Sequence, residues 1–533
     1  MSSVRTPGIY TVEKDAFPNS VVDVATAVPA FIGYTEKAEC HGASVQLKPV
    51  RIGSLAEFHQ HFGAGPQASH VRFSLKPATA EDDTALSPSF NTPLGPRDQE
   101  PLRTAHGAYR LAQTHGWYLL HAAMRLFFLN GGGPCFVVSV GGYALAADGH
   151  GPAAGRQIDA AHLQAGLKAL EAEREPTIIV VPEAVLLPKP DCDALQVHML
   201  AHCGATMKNR VALIDVWEGY LPRAGSPLGD FIELAREAVG VNHLSYGAAY
   251  YPWLHTTVLQ EDELSFLNIH PDSRAQLMDC ISDELRTQGL PVATLAARLA
   301  EASRITTTVQ DAHTDARLLC ARLAGISPFY NMLRLEMTRR LNLLPPSAAM
   351  AGVFTAVDNT RGVWKAPANV SLNGVLAPAV PISHEDQEDL NVPVRGKSIN
   401  ALRSFIGQGT LVWGARTLDS NSLDWRYINV RRTMIMLEES IQLAARAFVF
   451  ESNVPSTWVT LKAMISNFLT GIWKRGGLAG AVPEDAFSVH LGLGETMTAE
   501  DILDGLLRVT VLVAISRPAE FIEITLTQRM PRA

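Results

Sequence analysis

His198 and His202 stand four residues apart, with Cys203 beside them. On a helix that spacing puts two imidazoles on one face, as in many transition-metal sites. No third or fourth ligand is evident, so packing in a core or an interface is the better reading. Gly396-Lys397-Ser398 has the form of the end of a phosphate-binding loop. The loop's first glycine should stand five residues earlier, where this chain has Asn391, so the backbone cradle is absent. His384-Glu385 is followed by Asp386, Gln387 and Glu388, without the second histidine of a zinc protease. Gly131 to Gly133 run into Pro134 and an apolar stretch, which suits a helix stop better than a phosphate loop, since no helix follows directly. There is no GxSxG elbow. Six cysteines (Cys40, Cys135, Cys192, Cys203, Cys280 and Cys320) are scattered without a CxxC pair, which suits buried thiols in a reducing compartment. The residues thus offer no catalytic group, no metal set and no cofactor site.

The surrounding pattern predicts a layered scaffold. Leu120, Met124, Phe127 and Phe128 form a helical stripe that ends at the glycine run. A strand over Cys135 to Val140, a helix near Ala161 to Ala172 and a strand over Thr177 to Val181 follow. A helix near Ala194 to Cys203 and a strand over Arg210 to Val216 complete the alternation, which implies an α/β domain with parallel pairing. Asp272 to Leu344 reads as helical, with a break at Pro328 and a stop at Pro345-Pro346. Gly63 to Arg103 thins into Pro, Ser, Asp and Ala and reads as a long surface loop. Near the C-terminus, helices are expected over Thr433 to Phe448 and Ser456 to Trp473. The second turns Trp458, Leu461, Ile465, Phe468 and Ile472 inward. Thr498 to Asp501 forms a capping box for a short helix. Val509 to Ile515 is apolar enough for a buried strand, and Phe521 to Gln528 alternates like a strand with one apolar side.

Composition narrows the class. A chain of 533 residues, 47% of them hydrophobic, can bury several cores. A formal net charge of -8 argues against a protein built to grip nucleic acid. No apolar run approaches the ~20 residues of a membrane span. The opening MSSVRTPGIY lacks a secretory pattern, so cytoplasmic assembly is expected.

Several motifs in order then carry a resemblance. TPGIYTVEKDAFPNSVVDVATAVPAFIGYTEKA (Thr6 to Ala38) is similar to the opening of contractile tail-sheath proteins. VWGARTL (Val412 to Leu418), INVRR (Ile428 to Arg432), EES (Glu438 to Ser440), FESN (Phe450 to Asn453), GGLAG (Gly476 to Gly480) and RPAEF (Arg517 to Phe521) continue the match. RGVWKAPAN (Arg361 to Asn369) and GLGETMT (Gly492 to Thr498) look most like sheaths of extracellular contractile injection systems. The chain departs from many phage sheaths at LNVPVRGKSIN (Leu390 to Asn400) and in the long stretch Glu57 to Arg103.

The resemblance implies an α/β (α+β multidomain) fold: a core built from both chain ends, an inserted α/β middle domain facing outward, and extended terminal β-strand arms. The expected divisions are an arm over 1–20, the first α/β portion over 21–55, a loop-rich insertion over 56–103, a middle domain over 104–350, a core over 351–516 and a C-terminal arm over 517–533. It further implies a non-enzymatic subunit that polymerises helically around an inner tube and contracts, with a baseplate and cap as partners and no cofactor. The particle it joins can be released extracellularly. The implied arm contacts are Pro7, Gly8, Ile9, Tyr10 and Val12 at one end and Phe521, Ile522, Ile524 and Leu526 at the other. Arg431, Arg432 and Lys474 are the candidates for a tube-facing surface, against the alternative of ordinary ion-paired residues. Two other readings compete: an α/β nucleotide- or metabolite-binding enzyme with oligomerisation arms, and a baseplate or capsid component.

Overall fold

The computed structural model describes residues 21–78, 102–104, 107–144, 158–223, 228–307, 313–394 and 396–521. The chain divides into two compact units. The larger is Ala25–Arg432, and the smaller combines Met1–Val24 with Thr433–Ala533. The division at 432/433 lies well beyond the 350/351 boundary that the sequence suggested. The reason is pairing: the segment after residue 351 contributes two strands to the sheet of the larger unit.

That sheet has eight strands: β1 (Pro29–Thr35), β2 (Val50–Ile52), β3 (Cys135–Gly142), β4 (Ile178–Val180), β5 (Val211–Asp215), β6 (Gly247–Tyr251), β7 (Ile399–Phe405) and β8 (Gly409–Trp413). Their spatial order is β8-β7-β6-β5-β4-β1-β3-β2. The pairs from β3 across to β7 are parallel, whereas β2 and β8 pair antiparallel at the two edges. Strands such as β1, β4 and β5 are buried along their whole length, as parallel strands covered on both faces must be. On one face Ala30, Ile32, Val138, Ile179 and Ile214 share a core with Leu163, Leu195 and Met199 from the helices Ala160–Ala169 and Lys189–Ala201. On the other, Phe31 meets Phe127 of the helix Leu120–Leu129, with ring centroids 5.0 Å apart.

A second core in the same unit packs Phe73, Leu75 and Leu111 against the helices Pro271–Thr287, Val292–Thr307, His313–Ile326 and Pro328–Leu341. The strand Arg72–Pro77, paired antiparallel with Gly107–His115, lies inside the stretch that reads as loop. Phe73 and Leu75 are buried there, so two apolar residues two apart outweigh the polar composition around them. The helix Leu55–Phe62 likewise occupies the start of the expected loop-rich insertion.

In the smaller unit, the helix Pro455–Lys474 buries Leu461, Ile465, Phe468 and Ile472, the stripe that its spacing predicts. The preceding helix, Ile428–Ala445, crosses the division between units. Beyond the division it buries Ile435, Met436 and Leu437 rather than a single i, i+4 stripe. Thr498 caps the helix Ala499–Leu503, and Asp501 closes the expected box. Phe487–His490 and Thr510–Val513 make a two-stranded antiparallel sheet. Among the described residues no helix is long and apolar enough to cross a membrane.

Candidate functional site

The groups with chemical spacing are all engaged structurally. His198 is exposed on its helix, while His202 lies in a π-helical turn, buried, with its Nε2 3.4 Å from the Arg210 guanidinium. Burial and that guanidinium push the imidazole down to about 4, and burial pushes the Cys203 thiol up to about 12. A cation beside the ring is a poor neighbour for a metal ion. Among the described residues no group of three or more His, Cys, Asp or Glu is placed to hold one. Lys397 donates to the Arg236 carbonyl and Ser398 to that of Asn391, and both lead into β7 rather than a helix. His384 opens the helix His384–Asn391, whose first turn is closed by a Ser383–Asp386 capping box. Gly131, at φ +89°, makes the turn from the helix Leu120–Leu129 towards β3.

In a doubly wound sheet the place to look for a ligand is the crevice where strand order reverses, here beyond the carboxyl ends of β1 and β4. That place is filled by the chain itself. Glu183, wholly buried after β4, accepts hydrogen bonds from the backbone N–H of Tyr34 (2.9 Å), Leu119 (3.0 Å) and Leu120 (3.3 Å). Its carboxyl thus sits at the first turn of the helix Leu120–Leu129, the position an anionic ligand would take. A Cβ on Gly33 would meet its Oε2 at 2.8 Å, so the close approach requires glycine. The rings of Tyr34, Tyr118 and Tyr143 lie tilted against one another, with centroids 5.8 and 4.7 Å apart. One strand along, Asp215 does the same for the helix Ser347–Arg361, accepting from the Ser347 N–H (2.8 Å) and Oγ (2.5 Å). The sheet keeps the geometry of a ligand-binding fold and uses its own carboxylates as ligands.

Burial pushes both carboxyls up to about 7, with the hydrogen bonds opposing the shift. A raised folded value means that the native state holds the protons more tightly than the unfolded chain. Their contribution to stability is therefore complete below the ordinary values of 4.5 and 3.8 and is lost as pH rises to about 7. Thermal melts between pH 5 and pH 8 should show this component falling with pH. Glu183→Gln with Asp215→Asn should flatten that part of the profile, and an unchanged slope would contradict it.

Exposed apolar surface lies elsewhere. Exposed large apolar side chains crowd into the smaller unit, among them Leu443, Phe450, Leu493, Leu503 and Leu512. The strand Thr510–Val513 was expected to be buried, yet its side chains are exposed or only half-buried, and Leu512 is 58% exposed. Among the described residues no third strand joins this sheet, and a two-stranded sheet is marginal alone, with edges able to accept another strand. Phe521, expected in the C-terminal arm, is exposed. Its companions Ile522, Ile524 and Leu526, and Pro7, Gly8, Ile9, Tyr10 and Val12 of the N-terminal arm, lie outside the described residues.

The three basic candidates separate. Arg432 is buried in a bidentate pair with Asp358 (2.6 and 2.9 Å), and this corrects the tube-facing expectation for that residue. Arg431 lies over the rings of Tyr246 (3.9 Å) and Trp425 (4.2 Å). Only Lys474, at the end of its helix, is exposed. The two stacking aromatics could have been suspected from composition, but neither is near Arg431 in a periodic pattern.

The larger unit is an α/β scaffold whose crevice is filled by its own carboxylate, and the smaller unit exposes apolar side chains. The model of the phage tail sheath C-terminal domain matches residues 420–529. Over 99% of both chains, the structure is similar to the sheath complex of the extracellular contractile injection system PVC in its contracted state (25% identity, TM-score 0.57). It is also similar to the contracted helical sheath of the anti-feeding prophage (26% identity, TM-score 0.55), over 99% of this chain and 100% of that one. The tail sheath protein of Vibrio phage KVP40 is 29% identical over 138 residues, which span 20% of that protein's length. The chain is thus similar to tail-sheath proteins, by sequence in its C-terminal part and by structure along its whole length.

Proposed function

We propose that the chain is the sheath subunit of an extracellular contractile injection particle, polymerising helically around an inner tube on a baseplate and contracting to drive that tube. The observation that carries the reading is the smaller unit, with its open-edged two-stranded sheet and uncovered apolar side chains. The likeness to contracted sheaths along the whole chain supports the same reading. Terminal arms that add strands to a neighbour's sheet would use the open edges. About six to eight ladder bonds at about 1 kcal/mol each would hold such a link. Head-to-tail donation is a heterologous contact, and where its rotation does not close it generates a tube. Contraction is then a change between two packings of the same subunits, with energy stored in the extended lattice during assembly. Assembly takes place in the cytoplasm before release. Lys474 is retained as a tube-facing candidate, gripping acidic patches weakly enough to let go.

The filled crevice beside Glu183 weighs against the nucleotide-binding alternative. Sedimentation velocity of the purified chain over a rising concentration series tests the proposal. Growth into heavy, open-ended species above a threshold concentration is expected. A single small species, or a closed ring of fixed size, would contradict it.

A further inference from the structure

Phe450 stands in the loop between the helices Ile428–Ala445 and Pro455–Lys474, and it is fully exposed, at 103%. Its φ is +72°, a left-handed conformation that favours glycine or asparagine and penalises an aromatic residue. The loop around it is not loose. Val449 N–H donates to the Arg446 carbonyl (3.2 Å), and Glu451 N–H to that of Phe448 (3.1 Å). Asn453 pins the far side, accepting from the Trp458 indole (2.6 Å) and donating to the Leu506 carbonyl (3.1 Å). A rigid loop therefore holds out an aromatic ring that is exposed, in a backbone conformation it disfavours. Among the described residues no contact rewards that choice, and a glycine there would relieve the strain.

We propose that Phe450 is an intersubunit anchor, a side chain that inserts into apolar surface on a second copy of this chain. The inference rests on the sheath reading and deepens it by naming one contact residue. The same unit supplies acceptor surface on the next copy, since Leu493, Leu503 and Leu512 are uncovered. A rigid aromatic entering an apolar site loses little conformational freedom on binding, which is the character of an interface hot spot. An anchor that enters a different patch on the next copy, rather than its own counterpart, makes a heterologous contact, which propagates where its rotation does not close.

The test is Phe450→Gly in the full chain, with Phe450→Leu beside it, read in two ways. The melting temperature of the dilute, unassembled Gly variant should equal or exceed that of the parent. The threshold concentration for assembly, by pelleting, should rise at least tenfold for Gly and less for Leu. A Gly variant that melts lower would assign Phe450 to the fold and overturn the proposal. So would one that assembles at the parental threshold, and that result would leave the sheath reading intact. A Gly variant that assembles normally but no longer retains co-expressed tube protein would place the ring against a different partner and overturn it equally. A parent chain that never assembles overturns both readings.

Discussion

Replacing Arg432 with alanine should destabilise the larger unit by about 3–5 kcal/mol, the cost of leaving a buried charge without its partner. The side chains of Arg432 and Asp358 are 3% and 2% exposed, and the guanidinium spans both carboxylate oxygens. It also donates to the Thr26 carbonyl (2.9 Å) and lies over the Phe354 ring (4.6 Å). Thr26 Oγ1 in turn donates to Asp358 (2.6 Å). The larger unit begins at Ala25 and ends at Arg432, so this cluster fastens its first and last residues together. Urea denaturation of the Arg432→Ala chain should show the loss, and Asp358→Ala a similar one. Paired replacement of Arg432 by methionine and Asp358 by leucine should recover much of it, because no charge is then stranded. A single variant within about 0.5 kcal/mol of the parent would remove the clasp from the account.

Replacing Leu512 with aspartate should leave the fold intact and abolish assembly at concentrations where the parent assembles. Leu512 is 58% exposed, opposite Ser488 in the two-stranded sheet, so a carboxylate there stays in water in the lone subunit. In the proposed polymer the same position would be covered. Burying a leucine contributes about 1.5–3 kcal/mol, and burying an unpaired carboxylate costs more than that. Since about 1.4 kcal/mol is a factor of ten, the threshold should rise well over tenfold. Far-ultraviolet circular dichroism would confirm the retained fold, and pelleting would read assembly. Normal assembly of this variant would mean that the strand stays exposed in the particle.

Much of the scaffold was legible in the sequence. The alternation from Leu120 to Val216 appears as strands and helices within a few residues of their expected limits, because continuous apolar runs and helical stripes carry strong periodicity. The helices after residue 433 and the Thr498–Asp501 box were equally plain. The strand Arg72–Pro77 was hidden because its two buried residues stand among prolines and serines. Glu183 and Asp215 were also missed, although each is a lone carboxylate in an apolar run, PEAVLL and ALIDVW. Such an isolated acid in a buried strand end must find donors, and a helix N-terminus supplies them. Val509 to Ile515 reads as a buried strand because it is nearly all apolar, whereas the single chain leaves Thr510–Val513 exposed or half-buried. Arg432 shows the reverse error: a charge that looks like surface is held inside by a carboxylate 74 residues away.

An open-ended sleeve is the assembly expected of this chain. Negative-stain electron microscopy of the intact chain, beside a chain ending at Phe521, addresses it most directly. The account predicts long tubes or stacked rings from the intact chain, lost when the residues after Phe521 are removed. A monodisperse particle that looks the same with and without them would contradict it.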